Sequence, residues 1–152
     1  MGAAISVLLS SPAPAFAIDL DLSKYSGTWY EVASLKEGFA GEGQKDCHCT
    51  AGLYSLVDES KLTVKTFCVH GSPTGKISGI EGAVSCQGVE GKAGIMEANS
   101  CKLKFPSIPF IPPEPYTVLE TDYDTYALVE GARDKSFVQI YSRTPNPGKA
   151  FM

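Results

Sequence analysis

No stretch of this chain holds apolar residues at 3.6-residue spacing over three turns, so a helical architecture is excluded at the outset. What recurs instead is a short β-prone run followed by turn chemistry. Such runs occupy residues 27–34, 50–57, 61–69, 75–85, 103–105, 116–120, 125–130 and 136–143. A Gly-rich loop is expected over 36–46 and a longer polar loop over 87–99, with a short helical turn near the end of the latter. Residues 107–115 carry enough proline to exclude a central strand there. Eight runs at hairpin spacing fit a sandwich or an up-and-down barrel, and eight strands are just enough to enclose one small molecule.

Strand parity sharpens this reading, because successive side chains point to opposite faces. With Asp58-Glu59-Ser60 as a hairpin loop, Val57 faces Lys61, Leu56 faces Leu62, Tyr54 faces Val64 and Gly52 faces Thr66. Tyr54, Leu56, Leu62 and Val64 then share one apolar face. The same register sets Cys49 opposite Val69, on the face away from Cys68, so a Cys49–Cys68 bridge needs a bulge. In the last run Phe137, Gln139 and Tyr141 share a face. In the first, Glu31 shares the face of Trp29, where a carboxylate needs a neighbouring Tyr or Arg.

The chain has 152 residues, a net charge of −4 and no basic stripe, which supports one domain and argues against a nucleic-acid partner. Residues 1–17 read as a targeting segment: a short apolar run, a Pro break, then Ala15-Phe16-Ala17 as a small-x-small cleavage site. The folded domain is therefore expected over 18–152. Five cysteines follow the leader, so one thiol is free or its partner lies elsewhere. Cys86 and Cys101 flank a loop between consecutive strands and form the preferred bridge, adding about 3 kcal/mol in the chain-entropy treatment. Cys68 with Cys47 or Cys49 is the second pair. Cys47-His48-Cys49 with Cys68-Val69-His70 has ligand types suited to zinc, but its spacing fits no common zinc motif, and no metal or cofactor is expected. No nucleophile, phosphate-cradling or paired-carboxylate motif stands out, so the chain reads as a binder rather than an enzyme.

Three segments together resemble the lipocalin family. They are Gly27-Thr28-Trp29 on the first run, Thr121-Asp122-Tyr123 between two later runs, and Ser142-Arg143-Thr144-Pro145 at the end of the last. Longer strings look like the plastid branch of that family in plants and algae: Asp46-Cys47-His48-Cys49-Thr50, Thr66-Phe67-Cys68-Val69-His70 and Phe105-Pro106-Ser107-Ile108-Pro109. The resemblance implies an all-β, eight-stranded antiparallel barrel. Gly27, Trp29, Thr121, Asp122, Tyr123 and Arg143 would close one end, with the guanidinium over the indole. Phe39 would stand in a loop over the open mouth. Glu31, Phe39, Tyr54, Leu56, Leu62, Val64, Phe137, Gln139 and Tyr141 would line the site of a small hydrophobic ligand such as a fatty acid, an oxidised lipid or a carotenoid.

The resemblance further implies a monomer in the thylakoid lumen. There it would protect membranes from photo-oxidation and support sustained dissipation of excess light energy, with thylakoid lipids or antenna proteins as partners. Lipocalins usually continue into a helix after the last strand, and its apparent absence would leave Tyr30 and Val32 uncovered. The rival expectations are a xanthophyll de-epoxidase-like enzyme and a protein-interaction module using residues 105–115.

Overall fold

The structure, a computed structural model, describes residues 18–36, 47–72, 74–131 and 137–148. The expected targeting segment and the loop carrying Phe39 lie outside these residues. The elements are β1 (Asp19–Leu20), a one-turn helix α1 (Leu22–Tyr25), β2 (Gly27–Lys36), β3 (Cys47–Asp58), β4 (Lys61–His70), β5 (Ile77–Ser85), β6 (Met96–Glu97), a short 3₁₀ turn (Ala98–Ser100), β7 (Lys102–Lys104), β8 (Glu114–Thr121), β9 (Tyr126–Gly131) and β10 (Phe137–Ser142). Eight strands pair antiparallel in the order β10-β2-β3-β4-β5-β7-β8-β9 and close into a barrel. Closure is narrowest at β7, which pairs with Ala83–Ser85 of β5 on one side and with Glu114 and Pro115 of β8 on the other. β1 and β6 form a separate two-stranded ribbon.

Alternation explains the wall. In β9, Ala127, Val129 and Gly131 are buried while Tyr126, Leu128 and Glu130 are only partly so. Leu62, Val64 and Cys68 of β4 and Gly82 and Val84 of β5 point the same way. Each large aliphatic chain so buried contributes about 1.5–3 kcal/mol. The 3₁₀ turn stands where the helical turn was expected, and Pro115 sits at the second residue of β8, where a strand end tolerates it.

The β3–β4 hairpin keeps the expected pairs Leu56–Leu62, Tyr54–Val64 and Gly52–Thr66, with two corrections. The loop is Glu59-Ser60, because Asp58 pairs with Lys61 and its Oδ1 accepts from the Ser60 N–H at 2.8 Å. A register shift between Leu56 and Asp58 therefore displaces Val57 from Lys61. A second shift, between His48 and Ala51, puts His48 rather than Cys49 opposite Val69. Cys49 takes φ 55° inside that bulge and remains an exposed thiol, while Cys47 bridges to Cys68. Cys86 bridges to Cys101, as the loop they flank suggested.

One end of the barrel is shut by α1 and Arg143. Asp21 caps the helix, its Oδ1 accepting from the Ser23 N–H at 3.0 Å and the Lys24 N–H at 3.4 Å. A single turn leaves its last carbonyls without helical partners. Arg143 takes them up: Nη2 donates to the carbonyls of Lys24 at 3.0 Å, Tyr25 at 3.3 Å and Ser26 at 2.9 Å. Nη1 donates to Thr28 O at 3.0 Å and Nε to Tyr123 O at 2.8 Å. The guanidinium carbon lies 3.7 Å from the centre of the Trp29 ring, a cation–π contact of about 0.5–2 kcal/mol. Trp29 Nε1 donates to Tyr25 O at 2.8 Å, so the indole is wholly buried without an orphaned donor.

Gly27 and the Thr121-Asp122-Tyr123 turn are explained by the same contact. A Cβ at Gly27 would stand 3.0 Å from Arg143 Nη1, and the residue's φ is +106°. Asp122 Oδ1 gathers the N–H groups of Asp124, Thr125 and Tyr126 at 2.8–3.1 Å. Thr121 Oγ1 accepts from the Tyr123 N–H at 3.0 Å. The turn holds Tyr123 at φ 68°, with its carbonyl aimed at Arg143.

Removing the guanidinium takes a charged donor from five carbonyls at once, of which, among the described residues, only Tyr25 O keeps a side-chain donor, Trp29 Nε1. Arg143→Ala is expected to cost about 3 kcal/mol and to lower Tm by roughly 10 °C. Arg143→Lys should recover less than half of this, because an ammonium has neither the fork nor the flat face. Thermal denaturation followed by circular dichroism checks both, and a Tm for either variant within a degree or two of wild type would contradict the assignment.

Candidate functional site

Above Trp29 the barrel interior is floored by tyrosines. Tyr25 comes from α1, Tyr54 from β3, Tyr116 from β8 and Tyr141 from β10. The hydroxyls of Tyr25 and Tyr116 lie 2.8 Å apart, and those of Tyr54 and Tyr116 2.9 Å apart. Tyr54 is in turn hydrogen-bonded to Tyr141, so the four hydroxyls form one chain. The rings pack as well: Tyr25 lies 5.4 Å from Trp29, and 5.5 Å from Tyr54 in an edge-to-face arrangement. β10 places Tyr141 directly opposite Glu31 of β2, so both side chains share the interior face.

Burial raises the pKa of all four tyrosines above the usual 10, and neighbouring groups act on top of it. The negative charge of Glu31 adds to the rise at Tyr54 and Tyr141. Arg143 acts on Tyr25 in the opposite sense. The network therefore runs from a cationic end under Trp29 to an anionic end at Glu31.

Of the residues read from the sequence as lining, Glu31, Tyr54 and Tyr141 meet in this network. Leu62 and Val64 are buried on the neighbouring strand, and Gln139 is buried two residues from Tyr141. Phe137 is half-buried further along β10, and Phe39 lies outside the described residues. Leu56 does not line the interior. It is 45% exposed although its partner Leu62 is wholly buried, because the register shift after it turns the strand end out toward solvent. Tyr25 and Tyr116 were missed. Tyr116 was within reach, since it shares the parity of the apolar Val118; Tyr25 was not, because α1 is too short for a periodic signal.

Two other groups of side chains lie away from this floor. His70 Nε2 stands 2.5 Å from Ser78 Oγ and 3.7 Å from Cys68 Sγ. Cys47, Cys68 and His70 present their ligand atoms within 4.8 Å of one another, but the disulfide takes up both sulfurs. A groove of about 270 Å³ runs beside the β1–β6 ribbon, lined by Ile18, Asp19, Val89, Glu97 and Asn99. None of these residues belongs to a barrel strand, and Asp19 is paired with Lys92 at 2.6 Å. The barrel interior, where hydroxyls and apolar walls converge, is the candidate binding site.

The raised tyrosine pKa values have a definite sign. Folded, these hydroxyls keep protons that the unfolded chain releases near pH 10. Their contribution is complete below pH 10 and is lost as pH rises through the folded values. Of seven tyrosines, Tyr25, Tyr54, Tyr116 and Tyr141 are expected to ionise only as the barrel unfolds, giving a late alkaline step in phenolate absorbance that coincides with loss of circular dichroism. Ionisation of every tyrosine in one early step, with the fold intact, would contradict the buried network.

A family model described as a lipocalin-like domain matches residues 20–151. The chloroplastic lipocalin of Arabidopsis thaliana is 57% identical over 145 residues, covering 90% of this chain and 41% of that protein. Mouse apolipoprotein D is 30% identical over 140 residues, covering 88% of this chain and 66% of its own length. Most of the length of the plant relative thus has no counterpart here. Among solved structures, lobster apocrustacyanin A1 shares the fold with a TM-score of 0.59 at 18% identity, over 92% of this chain and 81% of that one. The cockroach allergen Per a 4 aligns with a TM-score of 0.62 at 21% identity, over 93% and 79%. Eight strands closed over the Trp29–Arg143 pair, and a family match across nearly all of the described barrel, make this chain a member of the lipocalin family.

Proposed function

We propose that this chain carries a small hydrophobic molecule inside its barrel, in the plastid, and that it works by sequestration rather than catalysis. The observation that carries this reading is the interior itself: a closed wall with one end sealed by Arg143 and Trp29, and with Leu62, Val64, Val118 and Val129 facing inward. A molecule held there exchanges water for apolar surface, at about 25 cal/mol per Å² buried. Lipocalins are typically ligand binders without enzymatic activity, and that supports the same reading. Identity of 57% to the Arabidopsis chloroplastic lipocalin supports a plastid setting. Within the plastid we place the protein in the thylakoid lumen, as a monomer. It would protect membrane lipids from photo-oxidation and sustain photoprotective energy dissipation, with thylakoid lipids or antenna proteins as partners.

Lipid extraction of the native protein followed by mass spectrometry is expected to recover one enriched apolar species. A fluorescent fatty acid or a carotenoid should titrate the emptied barrel to saturation near one equivalent. An extract no richer than the surrounding membrane, together with a non-saturating titration, would overturn the carrier reading. Violaxanthin incubated with the protein and reductant at acid pH should remain unchanged; its de-epoxidation would favour an enzyme instead.

A further inference from the structure

Strand register gathers a second set of chemically able side chains, far along the barrel from Arg143. Cys47 opens β3 and pairs directly with His70, the last residue of β4. Cys68 stands two residues before His70, so both lie on the face of β4 that carries the buried Leu62 and Val64. Ser78 of β5 pairs with Cys68. The ligand atoms of Cys47, Cys68 and His70 all lie within 4.8 Å of one another, and His70 Nε2 is 3.7 Å from Cys68 Sγ. Their spacing fits no common zinc motif because the set is drawn from two neighbouring strands. The exposed Cys49 thiol is outside the group, and His48 Nε2 donates to the Gly71 carbonyl at 3.0 Å.

In the oxidised chain both sulfurs are joined, so these residues become a ligand set only when the Cys47–Cys68 bond opens. The two bridges of the barrel differ in how readily that happens. Each has one half-buried cysteine, Cys47 or Cys86, and one buried, Cys68 or Cys101. The surroundings of the buried sulfur set them apart. Beside Cys68 Sγ stands an imidazole, which stabilises a departing thiolate. Beside Cys101 Sγ stands the Glu97 carbonyl oxygen at 3.8 Å, whose partial negative charge repels one.

We propose that reduction by a dithiol converts this corner of the barrel into a zinc site, with the metal held by Cys47 Sγ, Cys68 Sγ and His70 Nε2. One sulfur of the dithiol attacks Cys47 Sγ; the S–S bond breaks, and Cys68 leaves with the electron pair and takes a proton. The second sulfur of the dithiol then attacks its own partner in the mixed disulfide and displaces Cys47, which is protonated in turn. Two electrons and two protons pass to the cysteines, and the reductant ends as a disulfide. Zinc displaces the two thiol protons and takes three protein ligands, with water in the fourth position. Zn–S bonds of about 2.3 Å in a tetrahedron set the sulfurs about 3.8 Å apart, which Cα atoms 5.4 Å apart allow through side-chain rotation. Ser78 Oγ lies 2.5 Å from His70 Nε2 and 3.9 Å from Cys68 Sγ. It yields the nitrogen to the metal and donates to the Cys68 thiolate. Bridge and metal exclude one another, so occupancy follows the redox state of the chain.

Cobalt(II) reports on such a site, because thiolate ligation gives it a charge-transfer band and a tetrahedral field a strong visible one. The oxidised protein should show neither. After limited treatment with dithiothreitol and its removal under nitrogen, alkylation and mass spectrometry should find Cys47 and Cys68 freed and Cys86–Cys101 intact. Circular dichroism should still report the barrel. Cobalt should then titrate to one equivalent, with both bands, and zinc should displace it. Cys68→Ser should abolish the bands, and His70→Ala should weaken cobalt binding by about tenfold. Cys49→Ser should leave it unchanged. The proposal is overturned by a reduced, folded protein without a thiolate–cobalt band, by the same bands in the oxidised protein, or by undiminished binding in His70→Ala. Loss of the barrel on reduction, or opening of Cys86–Cys101 first, overturns it too. The comparison of reduced with oxidised wild-type protein decides the matter even where a variant fails to fold.

Discussion

A single guanidinium at the closed end organises much of this barrel. Arg143 stands 3.7 Å from the centre of the Trp29 ring and donates to carbonyls of α1, of β2 and of the turn between β8 and β9. Those elements are distant in sequence, and several are too short to be stable alone. Hydrogen bonds from a charged donor are among the stronger ones a protein makes, and here one side chain gathers carbonyls from three separate elements. The demand propagates outward. It requires glycine at 27, a left-handed residue at 123 and a one-turn helix ending under the indole.

The consequence for the interior is a floor that is polar as well as aromatic. With one face of Trp29 covered by Arg143, Tyr25 packs against the indole, and the tyrosine row begins there. In so buried a place the hydroxyls must satisfy one another, because an orphaned one costs about 1–3 kcal/mol. They do so in a row whose two ends feel charges of opposite sign. The walls above are aliphatic.

Much of the architecture was legible in the chain because strand parity is a local property. The Leu56–Leu62, Tyr54–Val64 and Gly52–Thr66 pairs follow from one hairpin and a period of two. The Cys86–Cys101 bridge follows from the loop those residues flank. Bulges were not legible, because they answer to the coiling of neighbouring strands rather than to local composition. That is why Leu56 points to solvent, and why Cys49 is left free while Cys47 takes Cys68. The polar floor escaped for a related reason. It is assembled from four elements, each contributing one tyrosine, and no window of sequence contains the pattern.

The central claim is that a molecule enters the barrel and comes to rest above the indole. Trp29 is the only tryptophan in the chain, so its fluorescence reports on that place alone. The most direct measurement is a titration with a fatty acid brominated along its chain, since bromine quenches indole emission only at short range. The account predicts quenching that saturates near one equivalent. Quenching that never saturates, or no quenching at all, would contradict it.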